Sequence, residues 1–432
     1  MTRTRRTFLR SSAAAGLGAG LSSCAAAPAA TEQSTPTAGS STPAAIAALK
    51  PIAPAVPPIT DDERKGRIEK ARRLMVENRI DAVFLEGGSS MFYYTGVRWG
   101  LSERPFVAVI PAKGEIGWVC PGFEEQRARE LVKGNAEVRV WQEDESPYSQ
   151  IAGILRDRGV TTGRVGVEER LRFFIANGVK KELPAARFVD ADLVTAGCRM
   201  IKSPAELALM QRANDITIAA YKAAFTTFRE GMTQDELRAH ISAAFRAAGG
   251  PGGGASVSFG KFTAFPHGSI EPQRLKEGDI ILVDGGCAID GYQSDITRTT
   301  VFGRPSQRQI DVWNLEKKAQ AAGFAAARPG VACEVVDAAA RKVITDAGFG
   351  PDYKVPGLPH RTGHGIGLDG HEWTNFVRGN TTLMAPGMCF SDEPMIAIYD
   401  EFGIRLEDCL YITQTGAQFF TQPSPAIDRP FA

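Results

Sequence analysis

Three of the chain's five histidines fall between residues 360 and 372, in the stretch HRTGHGIGLDGHE. Glycines at 363, 365 and 367 make a helix a poor reading, so His360 and His364 are not an i, i+4 pair of helical metal ligands. Glycine instead lets the backbone turn tightly and approach a metal cluster closely, which would present His364 as a nitrogen ligand. A lone histidine is more often a core residue satisfied by a carbonyl. Three in one Gly-rich segment of a His-poor chain point to a site.

Two acidic hairpins supply candidate partners. Residues 279–303, DIILVDGGCAIDGYQSDITRTTVFG, have the pattern strand, turn, strand, with Asp290-Gly291 as a two-residue turn. Pairing Ile289 with Tyr292 puts Asp284 opposite Thr297, and Asp295 on the same sheet face as Asp284, diagonal to it. On that diagonal the carboxylates could share metal ions roughly 3.5–4 Å apart. The second hairpin, MCFSDEPMIAIYDEFGIRLEDCLYI (388–412), spaces Glu393 and Glu407 symmetrically about a turn near Asp400. With a three-residue loop they sit directly opposite; another loop length flips one of them to the other face. Both glutamates lie in apolar strands, where an unpaired ionised carboxylate is costly. Metal coordination is one of few ways to make four such carboxylates tolerable together, and without a cation their repulsion raises some of the pKa values.

The elements around these groups divide the chain. From DDERKGRIEKARRLMVENRIDAVFLEG onward a helix precedes a strand at Ala82–Leu85, and short strands and helices continue to about Phe188. This is expected to be a small α/β domain over residues 59–197. IKSPAELALMQRANDIT then opens a second unit, residues 198–432. Ser203 and Glu206 form a capping box around Pro204, and the helix can run to Gly231. Thr233 and Glu236 repeat the signal for a helix that stops at the glycine run 249–254. Two further helices, about Gln307–Arg328 and Cys333–Ala347, alternate with hairpin-like strands, giving an α+β domain with a largely antiparallel sheet.

Composition bounds the function. The chain has 432 residues, 43% hydrophobic and 23% charged, with net charge +1, which gives no case for nucleic acid as a main partner. No apolar run reaches bilayer length. At the N-terminus, TRRTFLR places Arg5 and Arg6 ahead of an Ala/Gly-rich stretch and resembles a twin-arginine export signal over residues 1–24. LSSC, residues 21–24, looks like a lipobox whose Cys24 receives lipid; cleavage beyond Cys24 without lipid is the alternative. Residues 25–58 are rich in Ala, Pro, Ser and Thr and are expected to be a flexible tether. The expected location is therefore periplasmic or cell-envelope, with membrane contact only through the lipid. The other six cysteines show no CxxC and are expected to be mostly free, buried thiols.

Asp284, Asp295, His364, Glu393 and Glu407, in that order and within VDGGCAIDGYQSDITRT, HRTGHGIGLDGHE and GIRLEDCLYIT, resemble the ligands of the creatinase, prolidase and methionine aminopeptidase superfamily of metallopeptidases. The resemblance runs from about Asp61 to the C-terminus. It implies a pita-bread catalytic domain behind a creatinase-like N-terminal domain, as in the proline-specific branch. It assigns Asp284 to one ion, Asp295 and Glu407 as bridges, and His364 and Glu393 to the second ion. Mn²⁺ is the leading candidate of two divalent ions, with Co²⁺, Fe²⁺ or Zn²⁺ feasible for such ligands. An ion-activated water would attack the scissile carbonyl, with Glu393 taking up its proton. His267, in AFPHGS, would contact the substrate near the scissile bond and His371 would stabilise the oxyanion. His360 and Arg405 are assigned to substrate binding, Arg405 also orienting carboxylates by charge-assisted hydrogen bonds.

The activity implied is cleavage of the Xaa-Pro bond in dipeptides or short peptides. A small-amide hydrolase or lyase on the same scaffold (acting on ectoine or dimethylsulfoniopropionate) and a metal-free binding module are the alternatives. Retention of all five ligands weighs against the last. The resemblance also implies a homodimer in which FYYTGVRWGLSERPF (92–106), with Arg98 and Arg104, closes over the partner's site. Gly370 stands where many relatives carry a bulkier apolar residue. Cys287, Cys389 and Cys409 lie close to proposed ligands and are expected to be small apolar filler.

Overall fold

In the computed structural model, residues 42–432 are described; Arg5, Arg6 and Cys24 lie outside the described residues. The described end of the expected tether is instead packed on the fold, with a short helix Ala44–Ala47, Ile46 buried and the Ile52 amide donating to the Ala248 carbonyl at 3.2 Å. The N-terminal part is built on a six-stranded mixed sheet in the order Glu137–Trp141, Gly117–Pro121, Val107–Pro111, Ala82–Glu86, Arg164–Val167, Arg187–Asp190. Three strands in the middle, with apolar runs such as AVFLE and VAVIP, are buried along their whole length. Such runs without alternation belong to a sheet covered on both faces. The helix Asp61–Glu77 starts where the Thr60 hydroxyl accepts from the Glu63 amide.

The helix Pro204–Phe225 carries the expected capping box, with Ser203 and Glu206 each satisfying the other's backbone. It ends well before Gly231. Thr226 and Thr227 fold their hydroxyls back onto the carbonyls of Ala223 and Ala224, at 2.7 Å each, and leave the helical ladder. Gln234–Ala248 has its own capping box from Thr233 and Glu236, and stops at Gly249, whose φ of 92° needs glycine. Gln307–Ala326 and Cys333–Asp346 are the two later helices. Among the described residues, no helix is long and apolar enough to cross a membrane.

The strands of this half are antiparallel. Ile280–Gly286 pairs with Ile296–Val301 on one side and Gly254–Phe259 on the other. Ile289 faces Tyr292 across the Asp290-Gly291 turn, and Asp284 faces Thr297, the register that the turn implies. A five-stranded sheet has the order Glu372–Phe376, Gly363–Gly365, Cys389–Asp392, Asp408–Ile412, Ala417–Phe419. Its third and fourth strands continue, past a break at Pro394 and Leu406, into the hairpin Met395–Ile398 and Phe402–Arg405. Asp392 pairs with Asp408 and Met395 with Arg405 in one unbroken register. Glu393 and Glu407 therefore face each other across the break, about a loop of Tyr399, Asp400 and Glu401. Asp400, at φ 66°, takes the left-handed position in that loop.

The His-bearing segment departs from expectation. It is a strand, Gly363–Gly365, held between two others and broken by a register shift after His364. The glycines serve close approach rather than a tight turn. A β-carbon at Gly363 would lie 2.1 Å from the Ser391 carbonyl oxygen, and one at Gly365 2.7 Å from that of Glu372.

Candidate active site

The edge-to-edge meeting of the two antiparallel systems brings the sequence-selected residues together. Ligand-type atoms of Asp295, His364 and Glu407 all lie within 4.8 Å of one another. His364 Nε2 is 3.1 Å from Glu393 Oε1 and 3.8 Å from Asp295 Oδ2. Its Nδ1 lies 3.1 Å from the Gly365 carbonyl, which only accepts, so Nδ1 carries a proton; Nε2 is turned towards the carboxylates, and without an ion it is protonated too and donates to Glu393. Asp284 joins through Thr297 and Arg405: its Oδ1 accepts from the Thr297 hydroxyl at 2.9 Å, and its Oδ2 pairs with Arg405 Nη2 at 2.6 Å.

Charge is the dominant feature of this cluster. Burial, followed by the Asp284 charge, pushes Asp295 up to about 7. Burial and then Asp295 drive Glu407 well above the usual carboxylate range. Burial acts in the same direction on Glu393, but the hydrogen bond and charge of His364 outweigh it and hold that carboxyl low. Thr297 makes the crowding explicit. Its hydroxyl oxygen lies 2.9 Å from Asp284 Oδ1 and 2.6 Å from Glu407 Oε2, and accepts from Arg405 Nε at 3.0 Å. One hydroxyl proton cannot serve two carboxylates. Either Glu407 is protonated or a cation shares the charge. Four carboxylates and an imidazole, without a thiolate, suit a hard or borderline divalent ion.

Arg405 is 3% exposed, and its guanidinium is occupied by Asp284, Thr297 and the Pro266 carbonyl at 3.0 Å. It orients carboxylates, as one half of the expectation had it, and its buried guanidinium leaves no group for the substrate binding that was the other half. The bond to Pro266 also anchors the loop carrying His267, which is exposed at the rim. The His371 ring stacks on that of His364, centroids 3.9 Å apart. Burial, then the neighbouring His364 and Arg361, lowers His371 to about 4, so its ring is neutral near pH 7. His360 is half-buried; its Nδ1 lies 2.7 Å from the Arg361 carbonyl and its Nε2 is buried without a partner.

Several contributors escaped sequence reasoning. Thr297 was legible only as the residue opposite Asp284. The acids that follow the histidines are structural. Glu372 pairs with Lys202 at 2.8 Å and with Arg199, and Asp369 pairs with Arg170 at 2.8 Å and accepts from Ser89 at 2.6 Å, which ties the His-bearing segment to the N-terminal part. Lys202 and Arg199 outweigh burial and hold Glu372 down to about 2. All six cysteines among the described residues are free and buried. Cys409 is more than filler: its Sγ accepts from the Asp295 amide at 3.3 Å and donates to the Asp295 carbonyl at 3.1 Å.

An antiparallel scaffold that gathers Asp295, His364 and Glu407 within ligand distance, with Glu393 against His364 and Asp284 joined through Thr297 and Arg405, has the donor set of a divalent-metal site. Residues 208–414 match metallopeptidase family M24, and residues 67–201 match the creatinase/prolidase N-terminal domain. An uncharacterised peptidase of Schizosaccharomyces pombe is 37% identical over 371 residues, 81% of this chain and 78% of that protein. An Xaa-Pro dipeptidase of Pyrococcus furiosus is 30% identical over 360 residues, covering 83% of this chain and 98% of that protein. The crystal structure of dipeptidase PepE from Mycobacterium ulcerans superposes with a TM-score of 0.79 at 30% identity, covering 85% of this chain and 97% of that one. The chain belongs to metallopeptidase family M24, with a creatinase/prolidase N-terminal domain.

The raised Asp295 carboxyl has a measurable consequence in metal-free protein. A group held above its ordinary value of 3.8 stabilises the fold below that value, and the stabilisation is lost as pH rises through about 7. Asp295→Asn removes the charge that appears over this window. Chelated Asp295→Asn should therefore gain stability over chelated wild type between pH 5 and pH 8, by on the order of 1–3 kcal/mol. Denaturant melts at the two pH values check this; a stability difference that does not change with pH contradicts it.

Proposed function

We propose that this chain hydrolyses the Xaa-Pro bond of dipeptides or short peptides at a site holding two divalent ions, Mn²⁺ foremost and Co²⁺, Fe²⁺ or Zn²⁺ as other candidates. The observation that carries the reading is the convergence of Asp284, Asp295, His364, Glu393 and Glu407 in a chain whose relatives include Xaa-Pro dipeptidases. Asp284 would hold one ion, Asp295 and Glu407 would bridge, and His364 and Glu393 would hold the second. Bound there, such ions supply Lewis acidity and a water ionised near neutral pH.

The chain's own groups do the rest. Glu393 Oε1 is engaged by His364 and by the Ser391 hydroxyl at 3.2 Å, which leaves its other oxygen to take up a proton. Neutral His371 offers a ring N–H to the oxyanion that develops on the scissile carbonyl. His267, on its anchored loop, and His360 grip the substrate on either side. Arg405 and Thr297 hold the carboxylates in place. Asp295→Asn and Glu407→Gln should abolish Xaa-Pro hydrolysis and lower metal content by elemental analysis. His267→Ala and His371→Ala should each lose roughly 10²-fold in rate with metal content unchanged. Full activity in a chelated sample shown to be metal-free contradicts the reading.

A homodimer belongs to the same proposal. Arg104 is taken up by Glu143 through bonds of 2.9 and 2.8 Å, so Arg98 is the remaining cation of the 92–106 segment for a substrate carboxylate. It sits 3.5 Å over the Phe92 ring and 3.7 Å from Asp290. Light scattering should return a dimer, and dipeptides should be cleaved faster than decapeptides; a fully active monomer counts against it.

Export through the twin-arginine route, with lipid on Cys24, completes the reading and rests on the sequence alone. Folding before translocation would let the metals load in the cytosol. Replacing Arg5 and Arg6 by Lys should strand the protein inside the cell, and Cys24→Ala should release it from membranes. Soluble export of the unaltered protein rules out lipidation, and export of the Lys variant rules out the route.

A further inference from the structure

We propose that Arg361 is a positioning residue that fixes His371 in the Nε2–H tautomer, the form that can donate a hydrogen bond to the reacting carbonyl. The proposal deepens the peptidase reading above and rests on it for the identity of the acceptor.

Arg361 Nη2 lies 2.9 Å from His371 Nδ1. A guanidinium has only N–H donors and no acceptor, so at this contact Arg361 donates and Nδ1 carries the lone pair. The proton of the neutral ring is then on Nε2. Among the described residues Nε2 makes no hydrogen bond, while the ring is stacked on His364 beside the carboxylates. Nothing else among the described residues competes for that donor.

The same residue sets the opposite state at His360. Its backbone carbonyl can only accept, so His360 Nδ1, at 2.7 Å, must donate. His360 Nε2 therefore has a lone pair, and it is buried with no partner. One end of Arg361 prepares a donor at His371 and the other prepares an acceptor at His360. The Xaa-Pro bond has a carbonyl but no amide N–H, so in Ala-Pro the carbonyl would accept from His371 and the free amino terminus would donate to His360.

Among the described residues the Arg361 side chain makes one hydrogen bond, the one to His371, and feels the Glu393 charge. Other buried arginines are held by carboxylates: Arg298 by Asp408 at 2.7 Å, Arg341 by Asp337 at 3.1 Å, Arg405 by Asp284 at 2.6 Å. Arg361 is half-buried, and among the described residues no carboxylate lies within ion-pair distance of it.

The decisive readout is the tautomer itself. In full-length enzyme loaded with Zn²⁺, which is diamagnetic, and labelled with ¹⁵N at histidine, long-range ¹H–¹⁵N correlation spectra distinguish a protonated from a bare ring nitrogen. Wild type should show His371 with a bare Nδ1 and His360 with a bare Nε2. In Arg361→Met, His371 should become a mixture of tautomers. His360, whose partner is a backbone carbonyl, should not change. With Ala-Pro as substrate, kcat should fall about 10-fold or more. KM and metal content should stay near wild type, and Arg361→Lys should restore part of the rate. A pure Nε2–H His371 in Arg361→Met overturns the proposal, as does a change at His360 of the same size. So does a loss confined to KM for Ala-Pro and absent for its C-terminal amide, which would make Arg361 a grip on the substrate carboxylate. If wild type binds metal but cleaves no Xaa-Pro peptide, the peptidase reading fails, while the spectra still decide the role of Arg361.

Discussion

Mutual repulsion among Asp284, Asp295, Glu393 and Glu407 is the constraint on which the rest of the structure depends. Carboxylates repel strongly where little water screens them, and a fold that gathers four must hold them against that force. Among the described residues, Arg405 and His364 are the cation and the imidazole in direct contact with these four acids. The imbalance appears as the upward displacement of Asp295 and Glu407 and as a Thr297 hydroxyl claimed by two carboxylates. Cations resolve both at once. The same repulsion would favour the binding of divalent ions.

Two further layers keep the acids where they are. Behind Glu407, Arg298 is fully buried, donates to the Glu407 carbonyl at 2.9 Å and pairs with Asp408 at 2.7 Å. Asp408 is also held by Gln320 at 3.1 Å and by the Thr421 hydroxyl at 2.6 Å. Behind the histidines, Glu372 and Asp369 lock their segment to Lys202, Arg199, Arg170 and Ser89. Buried pairs of this kind add little net stability against an apolar replacement, but losing one partner is costly, so they specify position. The N-terminal part thus contributes directly to where His364 and His371 stand.

What the sequence made legible was set by strand periodicity. Side chains alternate strictly along a strand, so the Asp290-Gly291 turn placed Asp284 opposite Thr297, and the symmetric spacing about Asp400 placed Glu393 opposite Glu407. Helix caps at Ser203, Thr233 and Ser306 are local chemistry, and the first two were read correctly from residues three apart. The strand Gly363–Gly365 was not legible. Its glycines are required by backbones approaching from Ser391 and Glu372, and no local pattern records that approach. The carboxylate-orienting role of Arg405 was legible from its place two residues before Glu407, but its full burial, which excludes substrate contact, was not. Arg361, Arg298 and the acids of the His-bearing segment derive their roles from partners that only folding brings near. For Arg298 and Asp408 that separation is 110 residues.

The most direct test of the account is a crystal structure of Mn²⁺-loaded protein with anomalous scattering measured at the manganese edge. The account predicts two peaks roughly 3.5–4 Å apart, Asp295 and Glu407 each touching both, with His364 on one side and Asp284 on the other. Thr297 would then bond to one carboxylate rather than two. A single peak, or ions bound away from these five side chains with the Thr297 contacts unchanged, would contradict it.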